Sequence, residues 1–176
     1  ENEAQVWNYQ AFTRLRPICG DAALSAALLG DIERTWLTRD ETPQDIAARV
    51  WDMLNKLITA NPAQEEALPL KYALGGMLGY EFYAQCRHLQ KATRTGIWTP
   101  PEPDGIMARF LEDYKTLSAL DERLSFYLSP FHHAAQPEAL ERIRAISTHW
   151  HFAQVQTLAA RMEQALHGAF AKAMKA

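Results

Sequence analysis

Six histidines, two cysteines and a single carboxylate in an apolar stretch are the residues of this chain whose types could support chemistry, and their spacing decides which chemistry is open. His149 and His151 stand two apart, about 200° around a helix, so they cannot converge on one ion. No histidine has a glutamate three residues before it, which removes the Glu-x-x-His pattern of helical di-iron sites. The metal reading that survives brings His132 and His133 to His149 or His151, with Cys86 or a carboxylate as a further ligand. A haem axial role for His149 or His151 requires only an all-helical chain. Neither is favoured, and no cofactor is expected.

Nucleophilic catalysis finds no better footing. There is no Gly-x-Ser-x-Gly turn, and Cys19 precedes a helix start whose Asp21 opposes a thiolate. Cys19 and Cys86 read either as one disulfide or as two buried free thiols. Acidic pairs such as Glu112 and Asp113 fall on polar helix faces.

Glu81 is different. It sits between Tyr80 and Phe82, with Tyr83 next, in a stretch whose other charge is Lys71. An unpaired carboxylate there would be costly, so it should find Lys71, Arg87 or an arginine of another helix, or else mark a pocket. Beside it Gly75, Gly76 and Gly79 interrupt an apparent helix, at about 1 kcal/mol each relative to alanine. Something must approach this backbone closely, either a packed helix or a ligand served by the tyrosine hydroxyls.

The elements that would position these groups are all helical. Asp21 caps a helix with Leu24, Leu28, Ile32 and Trp36 every four residues, and Thr42-Pro43 starts another over 43–60. A first helix falls within 2–16 and a short helical turn within 62–67. The glycine-bearing stretch then reads as one central helix from about residue 68, closed by Gly96, its last turns holding Arg87, His88, Lys91 and Arg94 as cations suited to the helix dipole. GIWTPPEPD is a stiff connector, Asp104 caps the next helix to about residue 128, and SPFHHAAQP is a second proline-bounded loop. From Pro137 a last amphipathic helix could run to roughly 55 Å. The expectation is a single all-α domain over 1–176, a bundle of about six helices with the glycine-containing helix central and a long C-terminal helix along one side.

Hydrophobic residues at 48% and charged residues at 22% are ordinary globular composition. A net charge of −3 gives no basis for neutralising a phosphate backbone, and no window is long and apolar enough for a membrane span. The start at Glu1 fits a mature exported chain or an excised intracellular domain. Two functions follow. The first is a non-enzymatic interaction module, an adaptor, inhibitor or regulatory domain, meeting another protein or a second copy through the C-terminal helix and the aromatics Trp98, Phe131 and Trp150. The second is a small-molecule-sensing domain with its pocket beside Gly75, Gly79, Tyr80, Glu81 and Tyr83.

Overall fold

Three helix starts form where the capping chemistry places them. The Asp21 carboxylate accepts the Leu24 amide at 2.8 Å and opens α2 (Ala22–Leu37), which follows α1 (Val6–Phe12). Thr42 and Asp45 cap each other reciprocally, the Asp45 amide on the Thr42 hydroxyl at 3.1 Å and the Thr42 amide on the Asp45 carboxylate at 3.2 Å, and α3 runs Pro43–Ala60. Asp104 accepts the amides of Ile106 and Met107 and starts α5 (Gly105–Tyr127). Between these lies α4 (Met77–Thr95), ended by Gly96 in the left-handed region at φ 68°, and the described chain finishes in α6 (Phe152–Ala173).

This computed structural model describes residues 5–62, 68–96, 98–127, 134–135 and 152–175. Among them the fold is all-α, with six helices. One minimal antiparallel ladder joins β1 (Leu68–Pro69) to β2 (Ala134–Ala135), Leu68 opposite Ala135 and Pro69 opposite Ala134.

The chain forms two compact units, neither a continuous stretch. The first comprises residues 1–53, 82–102 and 170–176, the second residues 54–81 and 103–169. Tyr9, Trp36, Ile46, Val50, Cys86, Leu89 and Phe170 are buried in the first. Leu54, Leu70, Phe110, Leu117, Leu120, Met162 and Leu166 are buried in the second.

The central helix begins later than its apolar pattern suggests. It starts at Met77, so Gly75 and Gly76 belong to the turn before it and Gly79 alone stands in its interior. Adjacent glycines lower the cost of leaving the helix, and the chain folds back instead: the Met77 and Leu78 amides donate to the carbonyls of Leu70 (2.9 Å) and Lys71 (3.2 Å). Helix α5 passes through Ser118 without a restart. The helical turn expected over 62–67 and the start of the last helix at Pro137 lie outside the described residues, apart from Pro62, which is not helical.

Candidate functional site

Three glycines of the second unit, Gly75, Gly76 and Gly79, are where backbones meet. A Cβ on Gly75 would collide with the Ala159 carbonyl of α6, and one on Gly79 with the Leu74 carbonyl. At Gly76 it would lie 2.6 Å from the Leu70 oxygen. Close approach is therefore the reason for glycine here, and the approaching group is the protein's own backbone. The space that a Cβ would take at Gly75 and Gly79 is filled by the protein's own backbone. The two opening amides of α4 are likewise taken by Leu70 and Lys71, so this helix start does not offer them to an anion.

Tyr80 and Glu81 follow on the first turns of α4. Tyr80 is buried, its ring stacked on Tyr114 of α5 at 4.8 Å, and its hydroxyl donates to the Met107 carbonyl at 3.1 Å. Burial, with a smaller push from the Asp104 carboxylate, raises its pKa above the ordinary phenol value, which keeps it a neutral donor. The Tyr114 hydroxyl donates to Glu81 Oε1 at 2.7 Å. A phenol from α5 thus meets this carboxylate. The two tyrosines and Glu81 join α4 to α5, while Arg161 of α6 pairs with Asp113 and lies over the Phe110 ring at 5.8 Å.

Tyr83 and Trp98 belong to the first unit. Tyr83 meets Phe170 edge-on at 5.5 Å, and Phe170 in turn meets Trp51 at 5.1 Å. Trp98, expected as a partner-binding anchor, is half-buried and packs against Trp36 at 6.1 Å and His88 at 5.1 Å, with its amide donating to Glu33 at 3.0 Å. The Lys91 ammonium holds the same connector by donating to the Thr99 hydroxyl (2.8 Å) and the Thr99 and Pro100 carbonyls. Lys91 is therefore a strap for the connector as well as a helix-end cation.

His88 departs further from the helix-end role read from its position. It is buried, and Nε2 finds no hydrogen-bond partner among the described residues. Burial first and the Lys91 charge second lower its pKa below the usual 6.5, so the ring is neutral at pH 7. Cys86 is also fully buried, its thiol pushed up to about 12, whereas Cys19 is exposed. Both are free, which corrects the disulfide reading and the expectation of a buried Cys19.

One further feature was not singled out in the sequence. Arg39 lies over the rings of Tyr9 and Trp36 while pairing with the largely buried Glu41. In α6 the residues Val155, Met162, Leu166 and Phe170 of the apolar stripe are buried. Phe131, Trp150, His132, His133 and His149 lie outside the described residues. Among the described residues no group of three His, Cys, Asp or Glu could hold a metal, and no helix is long and apolar enough to cross a membrane.

No family profile matches the chain. No solved structure matches it. Similarity is found instead to segments of much longer proteins, each described as a bifunctional glutamine synthetase adenylyltransferase/adenylyl-removing enzyme. That of Bradyrhizobium diazoefficiens is 33% identical over 150 residues, which is 85% of this chain and 13% of the relative. That of Burkholderia mallei is 30% identical over 142 residues, 70% of this chain and 15% of the relative. That of Bradyrhizobium sp. strain BTAi1 is 35% identical over 126 residues, 70% of this chain and 11% of the relative. The chain is thus similar to a part of these enzymes and spans 11% to 15% of their length.

Proposed function

We propose that this chain is a helical interaction module serving adenylyl transfer to, or removal from, glutamine synthetase, and that it contributes protein contacts and regulation rather than the transfer step. The observation that carries this reading is the match of 85% of the chain to 13% of a bifunctional adenylyltransferase. The geometry supports it: Gly75 and Gly79 serve close backbone packing, Tyr80 and Glu81 join two helices, and Tyr83 and Trp98 pack on neighbouring rings. The surface that supports protein contact includes the large apolar residues left exposed near α1, Trp7 at 48% and Leu15 at 43%.

The test is binding of the purified chain to glutamine synthetase, alongside an adenylylation assay with ATP. Direct binding is expected, weakened roughly tenfold or more by Trp7→Glu, as for loss of one aromatic anchor. The chain alone should transfer no AMP. Absence of binding would remove the partner, and AMP transfer by the isolated chain would remove the non-catalytic role.

A further inference from the structure

The connector that leaves α4 is fastened in three ways. The Trp98 amide donates to Glu33 of α2 at 3.0 Å. The Trp98 ring packs on Trp36 of α2 and on His88 of α4. The Lys91 ammonium holds the Thr99 and Pro100 carbonyls. Of these groups His88 is the one whose charge changes near neutrality. It is only 5% exposed, and its Nε2 meets no hydrogen-bond partner among the described residues. That site accommodates a neutral ring, whereas an imidazolium there would carry a buried, charged N–H with no acceptor.

We propose that His88 is an acid-operated latch: on taking up a proton it gives up its hold on Trp98 and frees the connector at residues 98–100, while the helices stay formed. The surrounding charges fix this direction. On α4 itself, Lys91 lies one turn further on and opposes a second cation, and Arg87 is turned to Gln90 at 3.2 Å. From the turn after α2, Arg39 stands over the Trp36 ring at 5.9 Å and adds a cation to the same aromatic cluster. The connector itself presents the uncharged Trp98 ring.

The carboxylate that α2 brings to the connector is Glu33, and it already accepts the Trp98 amide. An imidazolium can therefore be satisfied in two ways. It can turn out to water, which strips Trp98 of one packing surface, or it can take Glu33, which strips the Trp98 amide of its acceptor. Trp98 loses a fastening by either route. Attraction between a cation and the indole face works the other way, but it leaves the N–H without an acceptor. The lowered pKa of His88 shows that burial outweighs it: the closed arrangement favours the neutral ring, so protons favour the open one. This latch does not depend on a role in adenylyl transfer.

Fluorine NMR of the chain labelled with fluorotryptophan tests it. The Trp98 resonance is the one lost in Trp98→Phe, and the change in its shift between light and heavy water reports contact with solvent. As pH falls from 6.5 through the folded pKa of His88, half-buried Trp98 should become solvent-exposed with far-ultraviolet circular dichroism unchanged. The ratio of open to closed connector should rise by up to about tenfold per pH unit in that interval, the slope of one proton. His88→Phe keeps a ring against Trp98 but cannot titrate, so it should hold the resonance at its neutral-pH position. His88→Gln, uncharged throughout, should also remove the pH dependence, wherever its Trp98 resonance starts. A Trp98 that stays shielded until the helices melt overturns the proposal. So does an opening transition that survives both substitutions.

Discussion

Gly75 and Gly168 are the same residue in opposite surroundings, and the difference has a measurable sign. Gly75 faces the Ala159 carbonyl with no room for a Cβ, whereas Gly168 sits exposed within α6 with nothing near its α-carbon. Gly75→Ala should therefore destabilise by about 1–3 kcal/mol or more, the range for overpacking against a backbone that cannot yield. Gly168→Ala should stabilise by about 0.5–1 kcal/mol, because it lowers the backbone entropy lost on folding in open space. Urea midpoints of the two variants should move in opposite directions, and a neutral Gly75→Ala would remove the close-approach account. That glycine-rich stretch was legible in the sequence because three glycines in an apolar run cost too much helix stability to stand there unless a backbone comes close. Glu81 was only half legible: its need for a partner followed from its neighbours, but Tyr114 lies 33 positions away and reads as one more member of an apolar stripe.

At the scale of the element, α4 shows how position along a helix misleads when burial intervenes. His88 lies toward the basic C-terminal half, where a protonated ring would suit the dipole, but burial against Trp98 dominates and depresses its pKa. Lys91 on the same helix adds a like charge, and the Glu33 carboxylate from α2 is engaged by the Trp98 amide. With the folded pKa below the unfolded value of 6.5, the unfolded chain binds more protons in the interval between the two. Stability from the neutral ring is therefore fully present above pH 6.5 and is lost as pH falls through that value toward the folded pKa. Urea midpoints measured from pH 7.5 downward should decline, and His88→Gln should flatten the decline relative to wild type. Parallel curves would show that His88 does not titrate differently in the two states. Helix α2 misleads in the other direction: periodicity gave one continuous stripe, and nothing in the pattern says that its first half meets water.

On the scale of the whole molecule, the all-α class, the capped starts of α2, α3 and α5 and the stop at Gly96 were readable because each rests on local chemistry within a turn or two. The two compact units were not, because each is assembled from distant stretches and no composition shift marks their limits. Their boundaries fall inside helices. α3 changes unit between Met53 and Leu54, α4 between Glu81 and Phe82, and α6 between Ala169 and Phe170. Helices are cooperative along their length, so melting one unit would require breaking three helices mid-course rather than at a linker. A single unfolding transition is expected. The probe is a Trp150→Phe variant, whose remaining tryptophans Trp7, Trp36, Trp51 and Trp98 all belong to the first unit, so that fluorescence reports that unit while far-ultraviolet circular dichroism reports every helix. Coincident denaturant midpoints by the two probes support one cooperative fold. A fluorescence transition separated from the dichroism transition would mean that the helices break at the unit boundaries and that each unit unfolds on its own.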